Sequence, residues 1–251
     1  MKVCMLGSGS RGNAVYVKSG GTSLLFDAGF SGRELTRRLK SIDVDPSELS
    51  AIIVSHEHQD HVAGLRAMGR NFLVYGTAGT LAQVGKRFKL NGTETIRPGE
   101  PVRAGDIEFL PVPTSHDAAD PVGFVVQDQD HRVAVMTDLG MVTRPVLDRL
   151  SDLSLAVIEA NHDPDMLRDG PYPWHVKQRV KSRMGHLSNP DAAGLAGSIA
   201  CGRLRTVLLA HLSEENNTGE LAVSAVQKVM DGSGVRIEAC RQDRPSPLFA
   251  L

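Results

Sequence analysis

The stretch from Ser55 to His61 concentrates side chains that bind metal ions in proteins. Its sequence, SHEHQDH, holds four potential ligands within six positions: His56, His58, Asp60 and His61. The whole chain has nine histidines, so this density is high. Imidazole and carboxylate ligands suit zinc, manganese or iron. The metalloprotease motif HExxH does not fit, because residue 60 is aspartate and a strand-like run precedes the histidines.

The spacing within this stretch predicts two metal positions. His56 and His58 are two residues apart, so in an extended segment both imidazoles point to one side. Asp60 and His61 fall where the chain turns into the next helix, so they aim at a neighbouring point. One ion would be held mainly by His56 and His58, and a second by Asp60 and His61. The alternative is a polar loop with incidental histidines.

Composition limits the class of protein. The chain has 251 residues, 41% hydrophobic and 23% charged, which is typical of a soluble globular protein. The net charge of −1 gives no overall sign of a nucleic-acid binder, although it does not exclude a local basic patch. Cys4, Cys201 and Cys240 form no CxxC pair, which favours a reducing cytoplasm over a disulfide framework. With no membrane-length apolar stretch and no signal-peptide core, we expect a cytoplasmic protein without membrane contact.

Apolar runs predict the elements that must position the ligands. Strands are predicted at 2–6, 14–17, 23–26, 51–54, 72–75, 107–112, 122–127, 132–137, 155–158, 206–210 and 235–239. Helices are predicted at 35–39, 62–68, 78–87, 173–184, 189–200 and 219–230, followed by an irregular tail from residue 241. No domain boundary, repeat or low-complexity segment stands out, so we expect one domain over residues 1–251.

Five of the predicted strands end at polar side chains: Asp27, His56, His116, Asp138 and His211. Strands that deliver ligands from the same end build a site along one edge of the sheets. Taken alone, His116 or His211 would be more typical of a turn or a core, but the five together favour one metal site. Asp27 fits a residue that orients a ligand histidine, or one that caps the following turn.

The loop from Gly7 to Gly12, GSGSRG, formally matches the dinucleotide fingerprint GxGxxG. That fingerprint requires a following helix, whereas residues 14–17 predict a strand, so we expect no dinucleotide site. Two alternatives remain for this loop. It binds a phosphate group through its backbone amides with Ser8, Ser10 and Asn13 as further donors, or it is a plain hairpin turn.

A second candidate for substrate binding is the predicted helix at 173–184. Four basic residues alternate along it: Lys177, Arg179, Lys181 and Arg183. They are placed to guide a phosphate backbone, and the alternative is a solvated helix face. Tyr172 and Trp174 either stack on unpaired bases or anchor the loop before the helix.

The arrangement as a whole resembles the metallo-β-lactamase superfamily, an αββα four-layer sandwich with a dinuclear site at its rim. The resemblance covers nearly the whole chain, and the matching motif residues are Asp27, His56, His58, Asp60, His61, His116, Asp138 and His211. It implies that one ion takes His56, His58 and His116. It implies that the other takes Asp60, His61 and His211, with Asp138 bridging the two.

Within the superfamily the chain resembles the YycJ (WalJ) family, which is associated with 5′-to-3′ exonuclease activity on DNA. The matching segments are 7–13, 116–118, 159–163 and 185–189, with Ala160 where that family more often has serine. Other branches fit less well. True β-lactamases usually have cysteine at the position of Asp138, glyoxalase II has an extra helical C-terminal domain, and the β-CASP nucleases insert a large domain that this chain is too short to hold.

A further resemblance, to tRNase Z, bears on mechanism and rests on Glu159-Ala160, His186-Leu187-Ser188 and His211-Leu212-Ser213. In tRNase Z the first two motifs supply a Glu–His pair that assists the leaving oxygen. Its projecting tRNA-binding arm has no counterpart in this sequence. For His186 the alternative is a helix-start histidine that bonds its own backbone.

These resemblances predict a dinuclear phosphodiesterase. Two divalent ions, zinc or manganese with iron also compatible, would lower the pKa of a bridging water, and the resulting hydroxide would attack phosphorus. His186, oriented by Glu159, would protonate the departing oxygen. Asp60 is included among the catalytic candidates, and so is His162, which either contacts the substrate or takes a metal position.

The expected substrate is DNA with single-stranded or nicked ends. The alternatives are another hydrolase of the superfamily, acting on RNA ends, a cyclic phosphodiester or a thioester, and a metal-bound regulator without turnover. The residues leave the oligomeric state, the strand polarity and the choice of metal open.

Overall fold

The computed structural model describes residues 1–200 and 202–251, so Cys201 lies outside the described residues. Within that part of the chain two seven-stranded sheets are present. The first consists of β1 (Lys2–Gly7), β2 (Ala14–Ser19), β3 (Thr22–Phe26), β4 (Ala51–Ile53), β5 (Leu73–Thr77), β6 (Thr93–Ile96) and, at its other edge beside β1, β14 (Phe249–Ala250). The second consists of β7 (Val102–Ala104), β8 (Ile107–Pro113), β9 (Val122–Gln127), β10 (Arg132–Met136), β11 (Leu155–Glu159), β12 (Thr206–Ala210) and β13 (Arg236–Ala239).

Short helices connect these strands. They are α1 (Gly32–Lys40), α2 (Gln59–Val62), α3 (Leu65–Met68), α4 (Ala78–Gly85), α5 (Arg144–Arg149), α6 (Pro164–Asp169), α7 (Trp174–Lys181), α8 (Asn189–Ile199) and α9 (Gly219–Val229). A 3-10 turn at Pro46–Glu48 precedes β4. Within the two described ranges, no helix has the length and apolar character needed to cross a membrane.

The alternation of side chains along each strand sorts the core into layers. In β3, Leu24 and Phe26 point between the sheets, where Phe26 packs on Phe109 and Phe124 of the second sheet. Leu25 points the other way, towards α1, α3 and α4, while the outer face of the second sheet packs under α5, α8 and α9. Because both faces of each sheet are covered, the central strands are continuously apolar. The predicted αββα four-layer sandwich is confirmed.

Strand direction brings several strand ends to one edge. β3 and β4 run parallel, and so do β10, β11 and β12. β8 and β10 each pair antiparallel with β9, so these two strands share a direction. The carboxyl ends of the ligand-bearing strands within each sheet therefore lie together.

Most predicted elements are present, and the exceptions have local causes. The helix predicted at 62–68 is two short helices, α2 and α3, interrupted at Gly64, whose N–H donates to Ala28 O at 2.7 Å. The helix predicted to reach residue 184 ends at Lys181, because Ser182 adopts extended backbone. The tail, predicted to be irregular, ends in β14, which pairs with β1. The short elements β6, β7, α5 and α6 were not predicted, since they offer too few residues to show a period.

One backbone crossing holds the ligand-rich stretch in place. Gly29 N–H donates to Asn13 O at 2.9 Å, and Asn13 N–H donates to Asp60 O at 2.8 Å. A Cβ atom on Gly29 would lie 1.7 Å from Asp60 O, so only glycine permits this approach.

Gly29→Ala should therefore lower the free energy of unfolding by about 1–3 kcal/mol, because overpacking forces the backbone of Asp60 to move. Chemical denaturation and metal content would be measured together, and both should fall. Gly194→Ala in α8 is the matched control, since its Cβ would have no neighbour within 4 Å among the described residues and alanine favours the helix. A Gly29→Ala protein with unchanged stability and metal content would contradict the prediction.

Candidate metal centre

The predicted site residues meet at the rim of the sandwich, where the two sheets come together. Asp27 follows β3, and His56 comes three residues after the end of β4. From the second sheet come His116 after β8, Asp138 after β10 and His211 after β12; a sixth residue, Glu159, is the last residue of β11. His61 bridges a residue of each sheet at this rim: its Nδ1 lies 2.7 Å from Asp27 Oδ2 and its Nε2 lies 3.1 Å from Asp138 Oδ2.

The backbone at three of these strand ends is unusual. Asp27, Asp138 and His211 have φ values of 61°, 55° and 55°, in the left-handed region that side chains disfavour. Only two other non-glycine residues in the described ranges have a positive φ. Such backbone costs of order 1–3 kcal/mol per residue and clusters at functional sites, where the surrounding structure holds it. This conformation turns each side chain sharply off its strand, and no sequence pattern predicted it.

The donor atoms form four overlapping groups, two of which contain only residues predicted as ligands of separate ions. The nitrogens of His56, His58 and His116 lie within 4.8 Å of one another, and so do donor atoms of a second group. The members of the second group are Asp60, His61 and His211. Asp138 reaches both groups: its Oδ2 lies 3.1 Å from Nε2 of His61, and its Oδ1 lies 3.7 Å from Nε2 of His116. His56, His61 and Asp138 form a further such group, so the division of ligands between two ions that the resemblance implies stays a prediction.

Two buried atoms without hydrogen-bond partners indicate whether cations fit this site. His56 Nε2 and Asp138 Oδ2 are both buried and neither has a hydrogen-bond partner among the described residues. Although Asp138 Oδ2 lies near His61 Nε2, these two atoms do not form a hydrogen bond. A buried lone pair without a partner is costly. Nitrogen and carboxylate donors that converge in this way fit divalent ions such as zinc, manganese or iron.

The charges of the metal-free cluster balance internally. Burial alone would lower the pKa of His61, but the carboxylates of Asp138, Asp27 and Asp60 outweigh it and raise that pKa well above 6.5. For His211, burial is likewise outweighed, chiefly by Asp138, and the pKa is raised. Burial would raise the pKa of Asp138, but the charges of His211 and His61 lower it well below its usual value.

The first group of donors behaves differently. Burial, reinforced by the positive charge of His61, lowers the pKa of His56 well below 6.5. Burial also lowers the pKa of His116. These two imidazoles are therefore neutral near pH 7 and have the form that binds metal ions without releasing a proton.

A layer of hydrogen bonds behind the ligands fixes their orientation. The carboxylate of Asp27 accepts from Ser55 N–H and Ser55 Oγ–H, both at 2.8 Å, and from His61 Nδ1. His61 Nε2 is thereby left facing the donor group. Asn13 Nδ2 lies 3.3 Å from Asp60 Oδ2, and Ser8 Oγ accepts from the backbone N–H of His211 at 2.7 Å.

Glu159 holds two histidines at once. Its Oε1 lies 2.8 Å from Nδ1 of His186 and 2.8 Å from Nδ1 of His211, while its Oε2 accepts from the N–H groups of Leu139 and Leu187. Burial would raise the pKa of Glu159, but His186 and His211 lower it to about 2. An ionised Glu159 leaves Nε2 of His186 directed away from the pair. The sequence predicted the pair of Glu159 with His186 but not the second bond, to His211.

A cavity of about 280 Å³ opens onto this cluster. Its walls include Ser10, His58, Asp60 and His186, and Arg179 of α7. His58, Asp60 and His186 are partly exposed, whereas the other donors are buried. A larger cavity of about 1080 Å³ adjoins the far side of the Ser8 loop and contains none of the donor groups.

The remaining predicted residues fall in different places. The loop GSGSRG is followed by β2 rather than a helix, as predicted, but Ser8 and Asn13 are buried and their side chains bond the cluster. Of the three predicted donors, only Ser10 lines the cavity over the cluster. His162 is 4% exposed and lies outside the donor groups of the described residues and outside the cavity wall, so its contact with substrate or metal stays a prediction. Burial lowers the pKa of His162 to about 4.

The four basic residues do not share one face. Arg179 lines the cavity, and its Nε donates to Asp117 Oδ2 at 2.6 Å. The ammonium of Lys177 donates to Arg168 O at 2.7 Å, Lys181 is the exposed last residue of α7, and Arg183 lies beyond the helix.

Comparison with known proteins agrees with this geometry. Residues 22–211 match a family model described as a beta-lactamase superfamily domain. The chain is 34% identical over 235 residues to exodeoxyribonuclease YycJ of Bacillus anthracis, which covers 92% of this chain and 89% of that protein. It is 35% identical over 228 residues to exodeoxyribonuclease WalJ of Streptococcus pneumoniae, covering 88% of this chain and 85% of that one.

The chain belongs to the metallo-β-lactamase superfamily, in the family of YycJ and WalJ. A solved structure of the same fold, YhfI of Bacillus subtilis, superposes with a TM-score of 0.76 and 21% identity, covering 98% of both chains. The protein is therefore a metallo-β-lactamase-fold hydrolase. The superfamily implies divalent metal ions, and the two histidine and aspartate groups at the rim are the candidate ligands.

Metal binding to this metallo-β-lactamase site should release about two protons per chain at pH 7, because His61 and His211 must become neutral to act as ligands. In the metal-free protein their raised pKa values stabilise the fold at low pH, and that contribution is lost as pH rises through them. Metal affinity should therefore increase with pH. Calorimetry in buffers of different ionisation enthalpy measures the protons released, and an affinity independent of pH would contradict the charge state.

Asp27→Asn should weaken metal binding about 10- to 100-fold, because the amide no longer supplies the charge that orients His61. Asparagine tolerates the left-handed backbone, so the fold should be retained. Competition with a chromophoric chelator measures the affinity. Asp43→Asn is the matched control, at φ 57° in the loop after α1. Equal metal affinity in the Asp27→Asn and Asp43→Asn proteins would exclude this role for Asp27.

Proposed function

We propose that the protein is a dinuclear metal-dependent phosphodiesterase acting on DNA, as a 5′-to-3′ exonuclease. The observation that carries the proposal is the Glu159–His186 pair, which adjoins two donor groups spanned by Asp138. The substrate class comes from relatives named exodeoxyribonuclease, at 34–35% identity over most of the chain.

The two donor groups would each hold one divalent ion, zinc or manganese, with iron also compatible. His56, His58 and His116 would hold the first, Asp60, His61 and His211 the second, and Asp138 would contribute to both. When bound, such ions supply an activated water and neutralise the charge of a phosphodiester. This assignment accounts for the two unpartnered buried atoms at His56 and Asp138.

His186 is the candidate general acid. Its Nδ1 is held by ionised Glu159, so Nε2 is the ring nitrogen that would pass a proton to a departing oxygen. His186 is partly exposed in the cavity wall, as an acid that meets substrate must be. Glu159 is wholly buried and acts by orienting His186.

Two cavity residues complete the proposed site. Arg179 projects into the cavity wall while Asp117 holds its guanidinium, so it is placed to bind a substrate phosphate. Ser10 offers a hydroxyl from the other wall. Asp60, which is partly exposed, can contact the incoming water in addition to serving as a ligand.

The test is hydrolysis of 5′-labelled and 3′-labelled single- and double-stranded DNA with Mn²⁺, with Zn²⁺ and with chelator. His186→Ala should lower kcat about 10²- to 10⁴-fold while both ions remain bound, because it removes only proton transfer. His58→Ala should lose activity together with metal. His131→Ala, whose ring contacts Asp128 away from the cluster, is the control.

Metal-dependent release of mononucleotides from the 5′ end would support the proposal in full. Absence of DNA cleavage with every metal, in protein that holds two ions per chain, would exclude it. RNA ends, cyclic phosphodiesters and thioesters would then be assayed with the same variants.

A further inference from the structure

Residues 170–185, named here the basic segment, differ in charge from the rest of the chain. The segment contains α7 and four basic residues, Lys177, Arg179, Lys181 and Arg183, without any aspartate or glutamate. Its formal charge is +4, and since the whole chain carries −1, the remaining residues carry −5. A local positive surface on an otherwise acidic protein attracts a polyanion to this place.

Two contacts attach the basic segment to the donor cluster. Arg179 donates to Asp117, the residue after His116, at 2.6 Å. Near the other end of the segment, His116 Nδ1 lies 3.1 Å from Gly185 O. A ligand bound along the segment is therefore next to the candidate metal centre.

The segment presents different sides to the cavity and to solvent. Val176, Arg179 and Val180 line the cavity at the three- and four-residue spacing of one helix face, and Tyr172, just before the helix, lines it too. Trp174, Lys177 and Lys181 share the same spacing on a second face. α7 therefore combines a wall of the cavity with an outer face that carries one aromatic and two basic residues.

Trp174 is the most exposed of the large hydrophobic residues in the described part of the chain, at 72%. An indole left in water is typical of a binding surface, because it offers a large apolar ring at low entropic cost. Met184, near the other end of the segment, is 49% exposed. The two other exposed large hydrophobic residues, Leu221 and Val229, lie on α9.

We propose that the basic segment binds single-stranded DNA, with a base stacked on Trp174 and phosphates held by its lysines and arginines. This inference rests on the proposed function and adds the form of the substrate. Bases within a duplex are already stacked, so an exposed ring selects an unpaired base. Trp174 precedes Arg179 by five residues, about 7.5 Å along the axis of α7, so the exposed ring lies close to the cavity wall.

A membrane surface is the other usual partner of exposed tryptophan beside lysine. The cavity decides between them. Because α7 borders the cavity over the donor groups, a strand whose end lies in that cavity can also reach the outer face of the helix, whereas a bilayer cannot enter the cavity. Vesicles therefore belong in the test as a competitor of the proposed ligand.

The chain has one tryptophan, so intrinsic fluorescence reports on Trp174 directly. Metal-loaded protein would be titrated with a nuclease-resistant phosphorothioate oligothymidylate, its duplex, RNA of matching sequence and phosphatidylserine vesicles. The single strand should quench the emission saturably, with an affinity that falls as salt is raised. No quenching by the single strand, or tighter binding of duplex, RNA or vesicles, would overturn the proposal.

Variants separate stacking from charge. Trp174→Ala should weaken binding of a fluorescein-labelled single strand about five-fold or more, and Trp174→Phe should restore most of it. Val229→Ala on α9 is the matched control for loss of an exposed apolar side chain. Lys181→Gln should reduce the slope of log affinity against log salt by about 0.7, whereas Lys228→Gln on α9 should not.

Binding and hydrolysis can fail separately. Quenching without DNA hydrolysis under any metal would leave this inference standing and exclude the proposed function. Hydrolysis in a protein whose Trp174→Ala variant binds single strands with unchanged affinity would overturn the inference and leave the function standing.

Discussion

The structure of the site depends on positive charge that compensates the negative charge of one buried carboxylate. Asp138 lies at the junction of the two sheets with almost no exposure, and an ionised group there is stable only beside positive charge. His61 and His211 supply that charge in the metal-free protein, and each is in turn held by a second carboxylate, Asp27 or Glu159. Two divalent ions would supply this positive charge in place of the protons of these histidines.

Burial of the apolar sandwich offsets the free-energy cost of this arrangement. Three residues at the rim adopt left-handed backbone, and a cluster of like ligands is held within a few ångströms. Hydrophobic burial between and outside the sheets is large compared with a cost of a few kcal/mol at these positions. Rigid strands also fix where each side chain begins, so the donors converge with little freedom to relax away from one another.

The part of this site that the sequence predicted is the part with a periodic or local signal. Strands such as β9 and β12 were predicted at their exact bounds by continuous apolar runs, and the spacing of His56, His58, Asp60 and His61 indicated two groups. The supporting contacts had no such signal. Ser8 bonds the backbone of a residue 203 positions away, and β14 pairs with β1 through only two residues, so neither contact could be inferred from neighbours in sequence.

A division of roles follows from where the two kinds of residue lie. The proposed ligands and Glu159 belong to strands and to the loops at their ends, which the sandwich holds rigidly. A site of this kind can serve the hydrolysis of many different bonds. α7 lies outside both sheets, and it differs from the rest of the chain in charge and in its exposed aromatic residue. Its exposed side chains, such as Trp174 and Lys181, can change without disturbing the core. Selection among substrates is therefore best placed in α7, whereas the chemistry is set by the strand ends.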